Sequence, residues 1–318
     1  MNRVFRDALG PRLFAKGSVL SIGAFDGVHL GHAALIERTV AHSRASGLTS
    51  CLLSFEPLPR AYFQKSGPLV RLCSPREKIE RALALGTDAV GLLRFNRTLA
   101  DMPAETFIDE VLVGRLNARE IWIGPDFRFG HGRRGDVGML EQHAHRHGYQ
   151  VSVLAVQSEG DERISSTRIR SALLGARFSE AERLLGRPYS ISGRVIRGQQ
   201  LGRTLGYPTA NISLHGRVPP VHGIYAVRVT GAGLVDQPSV ASIGNRPTVN
   251  GKELLLEVHL FDYQGDLYSQ RLTVDFVSKI RDEVRFASLD DLVSRMHIDA
   301  REARVMLQSN PASTGSNT

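Results

Sequence analysis

The sequence predicts an α/β domain with a parallel sheet, followed by a small antiparallel β-barrel with terminal helices. The length of 318 residues suggests about two domains. Strand and helix patterns alternate up to Gly186-Arg187-Pro188, and beyond it short strand patterns are separated by Gly, Pro and Asn turns. We therefore expect domains at 1–186 and 187–309, and a disordered polar tail at 310–318.

The first domain shows strand patterns at 18–25, 48–55, 89–93, 120–123 and 150–156, and helix patterns at 75–85 and 103–116. A further helix follows the first strand, with Leu35, Ile36 and Val40 on one face and Gly47 as its C-cap. Strands that alternate with helices form parallel sheets, and ligands of such sheets bind at the carboxyl ends of the strands.

The first strand leads into Asp-Gly-Val-His-Leu-Gly-His at 26–32, where that helix begins. Gly27 and Gly31 allow the backbone to approach a phosphate closely, and a helix N-terminus offers free N–H groups and partial positive charge. His29 and His32 are three residues apart and share one face of the first turn. They can donate to phosphate oxygens as charge builds in an adenylyl-transfer transition state. A four-residue pattern of this kind also arises by coincidence.

Three further histidines, His143, His145 and His147, precede Gly148. His143 and His147 are four apart on a predicted helix, a spacing that can serve a metal. No carboxylate or cysteine in the sequence pattern completes the set. We therefore expect a solvated helix C-terminus, where cationic histidines are favourable.

In the second domain, strand patterns at 189–195, 223–229, 238–243, 254–261 and 271–277 predict a compact antiparallel barrel. Two helices are expected after the strands, the first capped by Ser288 and the second capped by Asp299 and continuing over 301–307.

Within this domain, the stretch 208–211, Pro-Thr-Ala-Asn, follows three closely spaced glycines (Gly198, Gly202 and Gly206). Such glycines permit sharp bends and close approach to a ligand. Thr209 and Asn211 offer neutral oxygen ligands, which Mg²⁺ accepts beside phosphate oxygens. A tight loop that enters a strand is the alternative interpretation.

Alternation along the fourth of these strands places Glu257 on the face opposite Leu256 and Val258, together with His259. A carboxylate in the middle of a strand is ordinarily a solvent-facing residue. The 208–211 stretch in the same barrel favours a functional role instead.

Composition limits the classes of partner. The formal net charge is +8 and the pI is about 9.9. Only five of the 40 basic residues are lysines, so 35 are arginines, which favour bidentate contact with phosphate. A codon bias of a GC-rich genome is the favoured explanation of this excess. The sequence shows neither interleaved basic and aromatic residues nor a helix-turn-helix pattern, so we expect no nucleic-acid partner.

Cys51 and Cys73 have no metal or redox spacing and are expected to be reduced, buried thiols. Residues 1–16 lack the apolar core of a signal peptide, and no stretch approaches the roughly 20 apolar residues of a membrane span. We expect a cytoplasmic protein with no membrane partner. The sequence leaves open whether the chain forms a homo-oligomer.

The first domain resembles the Rossmann-like HxGH nucleotidylyltransferases and, more narrowly, the FMN adenylyltransferase module of prokaryotic bifunctional FAD synthetases. The resemblance rests on 26–32, Phe-Glu-Pro-Leu-Pro at 55–59, Gly-Pro-Asp-Phe-Arg-Phe-Gly at 124–130 and Ile-Ser-Ser-Thr-Arg-Ile-Arg at 164–170. It implies that His29 and His32 are catalytic and that further residues bind ATP and its phosphates (Gly23, Phe25, Asp26, Gly27, Gly31, Asp126, Ser165, Ser166, Thr167 and Arg170). Ser-Ser-Thr before a helix is also an ordinary N-cap.

The segment 202–212 is similar to the signature of riboflavin kinases. This resemblance implies that Thr209 and Asn211 hold the magnesium of MgATP, that Gly198, Gly202 and Gly206 line the ATP site, and that Glu257 is the general base. It also implies that the stretch 279–283, including Arg281, closes over flavin.

Together the resemblances imply a transferase with two activities. The second domain would phosphorylate riboflavin to FMN, and the first would adenylylate FMN to FAD and pyrophosphate, each with ATP and Mg²⁺. Two alternatives remain open. One is an HxGH adenylyltransferase of another substrate with an inactive barrel, and the other is a basic nucleic-acid-binding protein.

Overall fold

The computed structural model describes residues 4–65, 67–198, 202, 205–248 and 251–310. The chain forms two compact units, the first made of residues up to Leu69 with Cys73–Ser166, and the second of Val70–Leu72 with the residues from Thr167 onward. Arg203, Thr204 and the predicted tail beyond Asn310 lie outside the described residues. The predicted functional boundary at 186–187 stays a prediction. The division into compact units places the helices after Ser166 in the second unit.

A parallel sheet of six strands lies at the centre of the first unit and confirms the predicted α/β class. Its strands are β1 (Val4–Phe5), β2 (Ser18–Ile22), β3 (Thr49–Glu56), β4 (Ala89–Arg94), β5 (Ala118–Ile123) and β6 (Gln150–Val153). Their spatial order is β1-β4-β3-β2-β5-β6. The direction of winding therefore reverses between β2 and β5, which is where ligands of such sheets bind.

The helices of this unit are α1 (Leu30–Ser46), α2 (Pro59–Phe63), α3 (Pro75–Ala84), α4 (Arg97–Ala100), α5 (Ala104–Thr106) and α6 (Val137–His147). A π-helix (Phe107–Arg115) continues directly from α5, so the helix predicted at 103–116 is α-helical only at its start. A short hairpin, β7 (Ser158–Glu159) with β8 (Glu162–Arg163), was not predicted.

Both faces of the sheet are covered, as a parallel sheet requires. Leu53 belongs to the hydrophobic cluster on the side of the π-helix, whereas its neighbour Leu52 packs on the other face with residues of α1. Buried Leu35, Ile36 and Val40 confirm the predicted inner face of α1. This helix ends at Gly47, whose φ of 66° lies in the left-handed region, as predicted.

The second unit contains α7 (Ser166–Leu174), α8 (Phe178–Leu185) and a closed antiparallel barrel, which confirms the predicted barrel. The barrel strands are β9 (Tyr189–Ile196), β10 (Ala210–Ile212), β11 (Gly223–Gly231), β12 (Leu234–Thr248), β13 (Gly251–Leu260) and β14 (Arg271–Arg281). They close in the order β10-β13-β12-β11-β14-β9. Closure leaves no free sheet edge.

One continuous helix, α9 (Leu289–Ser309), follows the barrel, so the prediction of two helices was wrong. Ser288 caps it as expected, since its side chain accepts the N–H of Asp291. Asp299 does not cap a second helix, because its carboxylate binds Arg281 and Arg295 in the middle of α9. None of the described helices has the length and apolar character to cross a membrane.

Candidate active sites

The segment after β2 is a tight loop at the carboxyl edge of the sheet. Three of its residues have positive φ angles, namely Phe25 at 49°, Gly27 at 88° and Val28 at 46°. A β-branched residue such as Val28 rarely adopts this region, so the surrounding structure must hold the loop in a strained conformation. Strain of this kind concentrates at ligand-binding and catalytic sites.

His29 and His32 lie together at the N-terminus of α1. His29 is the N-cap, and its Nδ1 accepts the backbone N–H of His32 at 3.3 Å. The two imidazole rings stack with centroids 3.6 Å apart and planes inclined by 16°. A Cβ on Gly31 would lie 3.3 Å from the His29 ring, so a larger residue there would crowd the stack.

Burial keeps His32 neutral. Desolvation, followed by the nearby His29 and Lys78, holds the pKa of His32 well below 6.5. The ring Nδ1 of His32 is buried and has no hydrogen-bond partner. A neutral imidazole still carries one N–H donor. His32 therefore brings a hydrogen-bond donor, rather than a fixed positive charge, to an incoming phosphate.

Two buried side chains hold the strained loop, a role that sequence analysis predicted for neither of them. Cys73 was expected only to be a reduced, buried thiol, and the structure shows it free and buried. Lys78 of α3 is fully buried, and its Nζ donates to the Ala24 carbonyl at 2.6 Å. Cys73 accepts the Gly27 N–H through Sγ at 3.1 Å. Burial and then Asp26 raise the pKa of the Cys73 thiol, so this residue stays protonated. Neither residue follows a sequence pattern, because both act only through tertiary contact.

The second predicted phosphate-binding segment begins α7. The Ser166 hydroxyl donates to the Asp26 carbonyl at 2.9 Å, and both residues belong to the first unit. Arg170 donates through Nε to the Val70 carbonyl at 2.9 Å. The other members of this segment flank Ser166 in the chain (Ser165 and Thr167).

Asp126 lies just beyond the end of β5 and forms an ion pair with Arg163 of β8. Gly23 lies just beyond the end of β2 and donates its N–H to the Leu53 carbonyl at 3.1 Å. Because β2 and β5 are adjacent parallel strands, Gly23 and Asp126 share one edge of the sheet. This edge also carries the strained loop.

An aromatic cavity opens at the same edge, and sequence analysis did not identify it. It has a volume of about 400 Å³, and its walls include phenylalanine rings and two guanidinium groups (Phe55, Phe63, Phe95, Phe107, Phe129, Arg128 and Arg133). Phe55 lies near the end of β3, Phe95 follows β4, and Phe129 follows β5. An aromatic residue at or past the ends of three parallel strands is the sequence signal that could have revealed this cavity.

In the barrel, Asn211 and Glu257 are direct cross-strand partners. β10 pairs antiparallel with β13, and the register places Asn211 opposite Glu257. Directly opposed residues project their side chains from the same face, with Cβ atoms about 4.5–5.5 Å apart. On β13, Leu256 and Val258 are buried and Glu257 is half-buried, as the alternation predicted.

The Asn211 amide has the features of a ligand for a hard cation. Its side chain is 5% exposed, and Oδ1 is buried without a hydrogen-bond partner. A Cβ on Gly198 would overlap this amide, and a Cβ on Gly202 would overlap the Tyr207 carbonyl. Gly206 has a φ of 81°. Backbone conformation or lack of space thus explains why glycine occupies each of the three positions. The buried, unpaired Oδ1 of Asn211 is an oxygen ligand of the kind that Mg²⁺ prefers.

His259 supports the stretch that contains Thr209. Its Nδ1 lies 2.9 Å from the Pro208 carbonyl, and its ring contacts Tyr207 with centroids 4.9 Å apart. The Tyr207 hydroxyl in turn lies 2.5 Å from Nδ1 of His297 on α9. A backbone carbonyl can only accept, so this contact places a proton on Nδ1 of His259 and leaves Nε2 as the acceptor of the ring. The general-base role of Glu257 stays a prediction.

Arg281 is held by α9. Its guanidinium binds the Asp299 carboxylate at 2.7–3.1 Å and donates to the Asp282 carbonyl at 2.9 Å. It also lies over the Phe286 ring, 5.7 Å from the centroid. The structure therefore gives Arg281 a clear role in fixing α9 to β14, and its flavin role stays a prediction.

The fold and these sites define a transferase with two modules, an α/β unit that handles nucleotide phosphates and a barrel with a carboxylate–amide pair. The family model for FAD synthetase matches residues 12–168, and the family model for riboflavin kinase matches residues 185–307. The chain belongs to the bifunctional riboflavin kinase/FMN adenylyltransferase family.

Curated relatives match over nearly their whole length. A bifunctional riboflavin kinase/FMN adenylyltransferase of Escherichia coli strain K12 is 44% identical over 289 residues, which cover 91% of this chain and 92% of the relative. The enzyme of the same name from Haemophilus influenzae is 42% identical and covers 92% of this chain and 96% of the relative. The Pseudomonas fluorescens enzyme is 43% identical, with coverage of 92% and 93%.

A solved structure, described as a macrolide-efflux protein from Streptococcus pneumoniae, has the same fold over both units. Its TM-score is 0.78 at 30% sequence identity, and the match covers 95% of this chain and 98% of that chain. The name of that protein describes an activity other than that of the family models and curated relatives.

Proposed function

We propose that the barrel transfers the γ-phosphoryl group of ATP to the ribityl hydroxyl of riboflavin, which gives FMN. The α/β unit then transfers AMP from a second ATP to FMN, which gives FAD and pyrophosphate. The observation that carries this proposal is the presence of a candidate site in each unit. One unit holds a stacked histidine pair and an aromatic cavity, and the other holds a carboxylate opposite an amide.

In the α/β unit, the attacking group is the phosphate of FMN, which is already an anion and needs no base. The protein must hold this phosphate near ATP and stabilise the charge that develops on the α-phosphate. His29 and His32 are suited to this task, because the strained loop and the ring stack fix their donors before the reaction begins. The N-terminus of α1 adds backbone N–H groups.

We assign the aromatic cavity to the isoalloxazine ring of FMN. This assignment is supported by the phenylalanine walls, because a flat aromatic ligand stacks on them, and by a volume of about 400 Å³. Arg128 lies in the cavity wall, and its ion pair with Asp136 at 2.8 Å holds its guanidinium group in place. The cavity and the histidine pair both follow the carboxyl ends of strands of the same sheet, where the ring and the phosphate of one substrate would have to bind.

In the barrel, the primary alcohol of riboflavin is a poor nucleophile until its proton begins to leave. Glu257 accepts that proton, and its half-buried position on the outer face of β13 keeps it accessible to substrate. Thr209 and Asn211 are the residues that would hold Mg²⁺, which when bound with ATP neutralises phosphate charge and orients the transferred group. Gly198 leaves space for the Asn211 amide, and Gly202 leaves space for the Tyr207 carbonyl.

Chromatography of the products formed from riboflavin, ATP and Mg²⁺ tests the proposal. We expect both FMN and FAD, with FMN appearing first. FMN alone would restrict the chain to the kinase activity. Conversion of added FMN to FAD without any phosphorylation of riboflavin would instead support an adenylyltransferase with an inactive barrel.

A further inference from the structure

Three side chains of the first unit converge away from the strained loop and from the lining of the aromatic cavity. Asp109 lies on the π-helix, and His143 and His147 lie on α6. One potential ligand atom from each residue lies within 4.8 Å of the other two. The sequence pattern around the histidines contained no carboxylate, and the fold supplies one from another helix. The expectation of a purely solvated helix end is therefore incomplete.

The three ligand atoms have unsatisfied bonding capacity. Asp109 Oδ1, His143 Nδ1 and His147 Nε2 are all buried and without a hydrogen-bond partner. Asp109 Oδ1 lies 2.8 Å from His147 Nε2, but the pair lacks the angles of a hydrogen bond. Three buried atoms left in this state are costly, and a shared cation would offset that cost.

The ligand types and spacing suit a transition metal. The two imidazoles are four residues apart on α6, and their planes are inclined by only 12°. For a tetrahedral ion with ligands at about 2.1 Å, neighbouring ligand atoms are about 3.4 Å apart, so Asp109 Oδ1 and His147 Nε2, which lie 2.8 Å apart, would have to separate slightly when the ion binds. Imidazole nitrogens favour zinc and its neighbours over Mg²⁺ and Ca²⁺. The Asp109 side chain is 42% exposed, which leaves an entry path.

The neighbouring Tyr149 leaves the three side chains free to bind a metal ion. The Tyr149 ring lies parallel to the His147 ring, with centroids 6.4 Å apart. Its hydroxyl donates to the Leu140 carbonyl at 2.7 Å, so it does not compete for Asp109 or the histidines. Asp109 owes its place to the π-helix, and π-helical turns are frequent at functional sites.

We propose that Asp109, His143 and His147 form a site for a divalent transition metal of the zinc class, which ties the π-helix to α6. Three protein ligands leave a fourth position for water. This site is separate from the magnesium sites of the proposed function and does not depend on them.

Titration of the metal-free full-length chain with Zn²⁺, followed by calorimetry, tests the proposal. Asp109→Asn and the double variant His143→Gln/His147→Gln are compared with His145→Gln, a control on an exposed position of the same helix. We expect wild type and the control to bind one equivalent that both ligand variants lack or bind at least about 100-fold more weakly, since even outer-shell changes cost about 10–100-fold. Equal binding by all four proteins would overturn the proposal.

A second measurement needs no variant and therefore does not depend on their folding. Diethylpyrocarbonate modifies accessible imidazoles, and mass spectrometry can follow His143 and His147 with His145 as an internal reference. We expect Zn²⁺ to slow modification of His143 and His147 at least about tenfold and to leave His145 unchanged, because only metal ligands lose their lone pair. If Zn²⁺ protects none of the three, or all three alike, the cluster is only an ion pair at a helix end.

Discussion

Glu257→Gln removes the proposed base while it keeps the size and polarity of the side chain. Because the alcohol of riboflavin then lacks a proton acceptor, we expect kinase turnover to fall by about 100- to 10,000-fold. Riboflavin and MgATP should still bind, since Asn211 and the glycines are unchanged. Single-turnover FMN formation measures the chemical step, and flavin fluorescence measures binding separately.

His259→Gln is the matched variant on the same face of β13. It loses the contact with the Pro208 carbonyl and should weaken the 208–211 stretch without removing the base. Turnover of Glu257→Gln close to wild type, combined with a large loss in His259→Gln, would move the assignment of the base to His259.

The double variant His29→Ala/His32→Ala should lower FAD formation from FMN by about 100-fold or more, as expected when preorganised donors of a transition state are lost. FMN formation from riboflavin should continue nearly unchanged, since the barrel is a separate unit. The two rates can be followed in one chromatographic assay. Equal loss of both activities would point to unfolding or to a shared site.

The low pKa of His32 predicts a dependence of stability on pH. Below pH 6.5 an unfolded His32 is protonated while the folded residue is not, so the unfolded state binds more protons. The free energy of unfolding should therefore decrease from about pH 6.5 toward the folded pKa, by at most about 1.4 kcal/mol per pH unit. His32→Gln should lose this dependence, and the exposed His145→Gln should keep it.

Urea unfolding at several pH values between about 5 and 8 can measure this effect. The chain has one tryptophan, Trp122, and it lies on β5 of the first unit, so its fluorescence reports the unit that contains His32. Parallel pH profiles for wild type and His32→Gln would contradict a depressed pKa.

Among the elements, α9 depends on a buried carboxylate. Asp299 is 4% exposed and receives Arg281 from β14 and Arg295 from its own helix. Asp299→Asn should cost about 1–3 kcal/mol, because hydrogen bonds to a charged group are lost in a buried place. Denaturation followed by circular dichroism measures the loss. Glu302→Gln, on a more exposed position of α9, is the control and should stay within about 0.5 kcal/mol of wild type.

The elements that sequence predicts well are those whose signal is local. The alternation around Glu257 and the inner face of α1 follow from spacing alone, and both agree with the structure. Asp299 was misassigned because a carboxylate that caps a helix and one that binds a distant arginine look alike in sequence. The π-helix was missed for a related reason, since its apolar spacing resembles that of an α-helix.

The residues of the candidate sites also divide into those that lie in continuous motifs and those that distant segments bring together. The histidine loop and the 208–211 stretch lie in continuous motifs, so sequence analysis could identify their residues. The register that pairs Asn211 with Glu257, the buried Lys78 and the aromatic cavity all require chain segments that are distant in sequence. Such contacts arise only when the strands are ordered in space.

For the whole molecule, we expect the barrel unit to work alone. A fragment from Thr167 and a shorter fragment from Arg187 should both make FMN and no FAD. The shorter one lacks Phe178, which is 7% exposed and contacts Tyr225 and Phe276. Loss of such a ring costs about 3–5 kcal/mol in protein cores, so the shorter fragment should have a clearly lower Tm.

Thermal unfolding and the product assay should be run on both fragments. If the fragment from Arg187 is folded but makes no FMN while the longer one does, the functional boundary at 186–187 is wrong and α8 belongs to the kinase module. If neither folded fragment makes FMN, the barrel does not act as an independent kinase.

The pairing of Asn211 with Glu257 also limits how the barrel can change in length. Side chains alternate along a strand, so one residue inserted in β13 ahead of Glu257 would turn the carboxylate into the core and Val258 outward. Two inserted residues would return the Glu257 side chain to its present face of the sheet but would move it out of register with Asn211. Any insertion in β13 ahead of Glu257 is therefore harmful, whether it adds an odd or an even number of residues. The segment between Leu260 and Arg271 can change in length without altering the cross-strand partner of Glu257.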